Sequence, residues 1–343
     1  MSSAEVEHVS RALPAICLQA YPEFGSQKID GLERISDGWE CDVYRFNLEG
    51  VEQADHVQRA LILRVYLGYG AAAKAEWEFR VMQTLRSLGY PVPRVDAVLT
   101  DSALGSPLML MERVDGSILG LKMVRAANDA ELGTWLVLFC RLLVDLHRLD
   151  WRPFVPNPDD YASEEAATRW CTGMRKWIQR LGFNEFGEAF DWLEREAPRV
   201  APGRLSVVHW DFHPWNVLLR PDGAPAVIDW TSAEVTDSRF DLAWTLLLVS
   251  ANSGHDAREA VLAGYEREAG EPVKDLAYFE AAACLRRIAS MVISLAAGSE
   301  VFGMRAGAEV QMRENLTHLS TAYALFQERT GLRLPIAEAE LSR

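Results

Sequence analysis

The chain has 343 residues, 49% of them hydrophobic and 24% charged, which are ordinary globular values for a protein able to bury the cores of two domains or lobes, and no stretch is apolar enough for a membrane span. A formal charge of −14 argues against a nucleic-acid backbone or an anionic membrane surface as partner, and is compatible with a cationic substrate or with solubility alone. The five cysteines, Cys17, Cys41, Cys140, Cys171 and Cys284, are widely spaced without a Cys-x-x-Cys pair, which argues against a disulfide framework or a zinc site and leaves reduced core or surface thiols.

The N-terminus lacks a basic region and a long apolar core, so it does not read as a signal peptide and a cytoplasmic protein is expected. An amphipathic helix is expected over Val9 to Ala20, followed by a loop with Pro22 and Gly25. Ile35 to Phe46 reads as two strands joined by a tight turn at Gly38. Ala60 to Tyr66 is an alternating strand that puts Arg64 on the face of Ile62 and Tyr66, and a charge inside such a run needs a partner. The helix expected over 71 to 88 supplies one. Ala71, Ala75, Glu78, Met82 and Leu85 recur at steps of four and three, so Glu78 lies in the apolar stripe while Glu76 falls with Arg80 and Gln83 on a polar face. A carboxylate pointing inward from a helix and a guanidinium on the adjacent strand predict an Arg64–Glu78 ion pair.

Ser106 to Gly116 is an apolar strand ending in a polar Asp-Gly break, and Leu132 to Leu149 is a strongly apolar helix in which His147 reads as a structural hydrogen-bonding group. From 151 to about 203 three prolines and then Trp170, Trp177, Phe183, Phe186, Phe190 and Trp192 mark a helical insert, where helical spacing makes Trp170, Trp177 and Leu181 core residues. Leu205 to Val208 is strand-like and leads into His209-Trp210-Asp211-Phe212-His213-Pro214-Trp215-Asn216. Val217 to Leu219 and Ala226 to Ile228 flank a Pro221-Asp222-Gly223 turn, a hairpin signal that sets Asn216 entering one strand and Asp229 leaving the other. An amide oxygen and a carboxylate oxygen brought to neighbouring strand ends suit Mg²⁺ arriving with a phosphate-bearing substrate. Asp211 would stand beside that metal without being its ligand. Asp237-Ser238 is a candidate helix N-cap, Glu234 and Asp237 are candidates to face a cationic acceptor although a solvated loop explains either, and Ala277 to Leu295 is the most apolar of the remaining helices.

His209-x-Asp211-x-x-x-x-Asn216 has the spacing of the protein-kinase catalytic loop, and Ile228-Asp229-Trp230 stands where the metal-binding Asp-Phe-Gly would be. The wording of the stretch resembles the aminoglycoside phosphotransferase and choline kinase family of small-molecule kinases. The resemblance spans about residues 30 to 250 and implies an α/β (α+β) protein-kinase-like fold. An N-terminal nucleotide-binding lobe, 1–113, would carry an antiparallel sheet and one helix, and residues 114–343 a mainly helical catalytic and acceptor-binding lobe. It implies Asp211 as catalytic base, Asn216 and Asp229 as Mg²⁺ ligands, backbone amides at Gly38 over the phosphates, and the Glu112 carbonyl and Val114 amide at the adenine edge. Arg64 would anchor the α- and β-phosphates beside Glu78, standing where kinases carry Lys, and Asp241 would brace the catalytic loop.

The activity implied is transfer of the γ-phosphate of ATP, with GTP also open, to a hydroxyl of a small molecule. Aminoglycosides, other antibiotics, choline-like amines and sugars all stay open as acceptors, as does the oligomeric state. The alternatives are a nucleotide-binding protein without turnover, for which Arg64 is the warning sign, and a kinase with a protein acceptor. The latter is disfavoured by the short run from Asp229 to Asp241 and the lack of an Ala-Pro-Glu signature.

Overall fold

Alternating apolar strands with one inward-facing helix require a sheet covered on one side, and the N-terminal residues build that arrangement. A computed structural model describes residues 3–24, 27–36, 41–52, 55–68, 70–302, 304 and 307–343. The chain divides into two compact units, one made of 1–116, 220–231 and 299–308 and the other of 117–219, 232–298 and 309–343. Among the described residues, no helix is long and apolar enough to cross a membrane.

In the first unit α1 (Ser3–Ala20) is followed by β1 (Lys28–Ser36), β2 (Cys41–Glu52), β3 (Asp55–Tyr66), α2 (Ala71–Ser87), β4 (Val95–Leu99) and β5 (Leu108–Glu112). The strands form one antiparallel sheet in the order β1-β2-β3-β5-β4. Helix α1 begins earlier than its apolar periodicity, because Glu5, Glu7 and His8 are exposed and add no signal. Its Val9, Leu13, Ile16 and Cys17 pack with Phe46, Leu48, Leu61 and Leu63 of the sheet. Strand β3 extends well before Ala60, because it pairs with β2 along its whole length, from Cys41 opposite Tyr66 to Glu52 opposite Asp55. The expected turn at Gly38 lies outside the described residues. On α2 the buried set is Ala71, Ala75, Glu78, Val81, Met82 and Leu85, the stripe read from the sequence with Val81 added.

The second unit holds β6 (Ser117–Ile118), α3 (Leu119–Val124), α4 (Asp129–Arg148), α5 (Ala166–Arg180), α6 (Gly187–Glu196), β7 (Leu205–Val208) and β8 (Val217–Leu219). After β9 (Pro225–Val227), a part of the first unit, it continues with β10 (Glu234–Asp237), α7 (Ser238–Ser253), α8 (His255–Ala269), α9 (Leu276–Ala297), α10 (Ala308–Glu314), α11 (Thr317–Thr330) and α12 (Pro335–Leu341). β7 pairs antiparallel with β10, and β6 with β8. Helix α9 is buried over most of its circumference and packs against α7 and α11, which explains an apolar pattern too continuous to show one face. In the insert, short 3-10 turns around the prolines precede α5. The buried face of α5 is centred on Ala167, Cys171 and Ile178, one residue later than expected, so Trp170 and Trp177 are only partly buried. All five cysteines are free and buried.

Candidate active site

The first unit gathers three of the residues singled out by sequence. Arg64 projects from β3, and its Nη2 lies 2.9 Å from Asp229 Oδ1 and 3.4 Å from Glu78 Oε2. Glu78 is fully buried, and its two oxygens are occupied further: Tyr66 Oη donates to Oε2 at 2.5 Å and the Trp230 amide to Oε1 at 3.0 Å. Burial alone would lower the Arg64 pKa, but the Glu78 and Asp229 carboxylates outweigh it and hold the guanidinium well above its usual range. The Glu78 carboxyl is pushed up by burial and by the neighbouring Asp229 charge, against the pull of Arg64. Arg64 Nε is buried with no hydrogen-bond partner among the described residues, so a donor remains for a phosphate oxygen.

Asp229 sits at φ 71°, a left-handed backbone that a non-glycine residue holds only when its surroundings over-determine it. The next residue does that. Trp230 is fully buried, donates its ring Nε1 to Val227 O at 3.0 Å, and meets the Tyr90 ring edge-on at 5.8 Å. These partners belong to the first unit, so the tryptophan packs with the sheet-bearing unit. Glu112 ends β5, takes the Arg94 amide at 3.0 Å, and pairs with Arg220 at 2.5 Å; despite burial, that pairing holds its carboxyl below the usual range. Its amide donates to Arg94 O at 2.8 Å, and Val114 lies half-buried in the irregular segment beyond it.

The second unit carries the loop from His209 to Asn216. Its backbone is fixed by helix α7, which Asp237 caps by accepting from the Arg239 amide. One turn into that helix the buried Asp241 accepts from the amides of His209 and Trp210, each at 2.8 Å, and lies 3.3 Å from His147 Nε2. Thr245, four residues on, donates Oγ1 to Phe212 O at 2.9 Å. Asp241 is thus the brace that the sequence suggested. His147 is structural, its Nδ1 facing Tyr265 Oη at 2.8 Å. His209 is buried and accepts the Asp211 amide on Nδ1 at 3.2 Å, again a structural use of the ring. Trp210 takes φ 61° and is held among Trp170, Phe240 and Trp244, with Nε1 donated to Glu234 Oε1 at 2.6 Å.

The loop leaves Asp211 presented, its side chain 41% exposed. Asn216, in a 3-10 turn just before β8 rather than within a strand, donates Nδ2 to Asp211 O at 3.0 Å and to Asp211 Oδ2 at 3.3 Å. With its nitrogen so engaged, the amide oxygen is left for a hard cation. His213 Nε2 stands 3.4 Å from Asp211 Oδ2. Burial would raise the Asp211 pKa, yet His213, His209 and Arg287 outweigh it and hold the carboxyl far below the usual carboxylate range, so it is ionised at neutral pH.

Neither acidic candidate for an acceptor lies in a solvated loop. Asp237 is 2% exposed and committed to capping α7 and to an ion pair with Arg239 at 2.7 Å. Glu234 lies in β10 opposite Val208 with its carboxylate on Trp210, and burial pushes its pKa up. Arg287 and His318, which sequence reading passed over, are near enough to Asp211 for their charges to interact with it. The pair Arg286-Arg287 inside the most apolar helix was the available signal, of the kind that identified Glu78.

Residues 31–281 match the model of the phosphotransferase enzyme family. Acyl-CoA dehydrogenase family member 10 of Mus musculus is 30% identical over 187 residues, a stretch covering 52% of this chain and only 17% of that protein's own length. A Ralstonia eutropha protein provisionally described as an aminoglycoside phosphotransferase shares the fold with a TM-score of 0.65 at 18% identity, over 97% of each chain. The streptomycin–ATP ternary complex of APH(2'')-IIa does so with a TM-score of 0.55 at 15% identity, over 98% of each chain. The fold is the protein-kinase-like one, with an antiparallel N-terminal sheet and a helical C-terminal region.

Proposed function

Because this chain belongs to the phosphotransferase enzyme family and is an enzyme of that kind, we propose that it transfers the γ-phosphate of ATP to a hydroxyl of a small molecule. The observation that carries the reading is Asp211, a presented and ionised carboxylate on a loop whose backbone is fixed by Asp241 and Thr245. Asp211 orients the acceptor hydroxyl as a hydrogen-bond acceptor and takes its proton as the acceptor oxygen bonds to the γ-phosphorus. The bond from that phosphorus to the bridging oxygen breaks, and its electron pair leaves with ADP. A strongly acidic aspartate is a weak base, which suits a loose transition state in which the proton moves late. Positioning and charge neutralisation then do most of the catalysis.

Arg64 anchors the nucleotide phosphates through the nitrogen its carboxylate partners leave unused, and Glu78 holds it in place. Asn216 and Asp229 are the residues that would hold magnesium, an amide oxygen and a carboxylate of the hard type it prefers, and the ion would neutralise charge on the phosphates. The Glu112 carbonyl and Val114 amide meet the adenine edge, and GTP is the alternative donor. A small-molecule acceptor and a cytoplasmic location complete the reading.

A nucleotide-binding protein without turnover is favoured by one observation, that Arg64 is tied directly to the candidate metal ligand Asp229. Measuring MgATP binding and ADP release separately, on a panel of hydroxylated acceptors, separates the two. Binding with acceptor-dependent ADP release supports the kinase; binding with no release on any acceptor supports the second reading.

A further inference from the structure

Arg64 and Arg287 each carry a buried Nε without a hydrogen-bond partner among the described residues, each near a residue singled out for phosphoryl transfer, and they differ in what balances them. Arg64 has Glu78 and Asp229 within ion-pair distance. Arg287, on α9, has no such pair among the described residues: the opposite charge acting on it is Asp211, while Arg286 next to it opposes its charge. Burial and Arg286 together push its pKa down to about 10. Arg286 is itself provided for, its guanidinium resting over the Trp210 ring at 4.4 Å and the Trp244 ring at 4.2 Å.

The unmatched groups cluster. His213 Nδ1 and His318 Nδ1 are likewise buried without a partner, although each ring is fixed through its other nitrogen, His213 on Asp211 Oδ2 at 3.4 Å and His318 on Asn252 Oδ1 at 3.3 Å. Arg287, His213 and Asp211 all act on His318, so the four lie together in the second unit. A partly buried guanidinium that makes no ion pair keeps donors unused, and an anion within hydrogen-bond reach would engage them. Asp211 keeps its charge while it accepts an acceptor hydroxyl, but among the described residues it makes no ion pair with Arg287 and leaves the Arg287 Nε unused.

We propose that the acceptor carries, besides its hydroxyl, an oxyanion (a carboxylate or a phosphate), and that Arg287 receives it in a place lined by His213 and His318 beside Asp211. This rests on the kinase reading given above for Asp211 and narrows it. The substrate class is the hydroxy acid or hydroxyalkyl phosphate, in place of the polycationic acceptors that the net charge of the whole chain leaves open.

The test compares ADP release with MgATP for 3-hydroxybutyrate against 1,3-butanediol, for glycerol 3-phosphate against glycerol, and for choline and kanamycin. The wild type is expected to favour at least one anionic member over its neutral partner by about tenfold or more in kcat/KM, the first pair reporting a carboxylate and the second a phosphate. Arg287→Gln is expected to collapse that ratio through KM, and Arg287→Lys to restore part of it. A ratio unchanged in Arg287→Gln, preference for choline or kanamycin, or a loss of ATP affinity with acceptor KM unchanged would each overturn the proposal; the last would assign the guanidinium to the nucleotide.

A second measurement separates this proposal from the kinase reading. Inorganic phosphate and acetate are titrated against the whole chain while the histidine ring resonances are followed by NMR. Shifts of His213 and His318 in the wild type that disappear in Arg287→Gln uphold the anion site even where no compound is phosphorylated. Turnover of neutral or cationic alcohols without such shifts upholds the kinase and refutes the anion site.

Discussion

Arg64 and Arg287 make the most informative comparison in this molecule. Both are guanidiniums taken at least partly out of water next to a proposed reacting group, yet one is raised in pKa by two carboxylates in ion-pair contact with it, and the other is lowered by burial that the charge of Asp211 does not outweigh. A charge compensated within the protein is a fixed part of the structure. A charge left uncompensated marks where the protein expects a partner from solution. The same comparison shows why a chain of net charge −14 can still present a locally positive acceptor site, since total charge describes long-range fields and not the few side chains around a substrate.

The largest expected effect lies at Asp211, whose carboxyl the Arg287 charge helps to hold ionised. Asp211→Ala should lower kcat by roughly a thousandfold while leaving ATP affinity nearly unchanged, since the group acts on the acceptor. Steady-state kinetics with nucleotide binding measured in parallel would check it, and an unaltered rate would remove Asp211 from the mechanism.

Next is the stability contrast between the arginines. Arg64→Ala should cost about 3 kcal/mol in denaturant unfolding, because it leaves the fully buried Glu78 without its counter-charge. Arg287→Gln should cost less, about 1 kcal/mol or below, because Arg287 makes no ion pair among the described residues and only the charge of Asp211 balances it. Equal losses at both positions would erase the distinction. Asp229→Asn should then weaken Mg²⁺-dependent nucleotide binding by about tenfold or more through loss of a full charge from the metal ligands. An identical Mg²⁺ dependence in variant and parent would contradict that role.

The smallest effect is a pH dependence. Burial and the Arg287 charge lower the folded-state pKa of His318 from 6.5 to about 4, so the folded chain favours the neutral ring. Its contribution is present above pH 6.5 and is lost as pH falls from 6.5 towards 4, by about 1 kcal/mol or less because the ring is partly exposed. His318→Asn should flatten that part of the stability curve, and an unchanged slope would show that the ring is not held neutral.

Much of the fold was legible because its signals are local. The stripe on α2 and the alternation of β3 brought Glu78 and Arg64 together on paper, and they meet at 3.4 Å. The spacing from His209 to Asn216 likewise described one loop. What escaped depends on tertiary context. The left-handed backbone of Asp229 and Trp210 leaves no trace in residue type, and the packing of Trp230 against Tyr90 joins residues far apart in sequence. Glu234 reads as solvated because nothing local shows that it binds an indole, whereas the N-cap role of Asp237 is legible in the Asp-Ser pair before an apolar helix. Arg287 is the instructive omission, since the rule that a charge inside an apolar helix needs a partner identified Glu78 and applies equally to α9.

Transfer to a hydroxyl is tested most directly by following MgATP and the acceptor panel by phosphorus NMR, with the wild type and Asp211→Ala side by side. A phosphomonoester resonance growing in step with ADP in the wild type and absent from the variant is the expected result. No lag should precede it in protein made without partner kinases, because Asp241 lies only twelve positions after Asp229 and the fixed Trp230 leaves no loop to switch. MgATP that binds yet gives no phosphomonoester with any acceptor, or a product formed equally by both proteins, would contradict it.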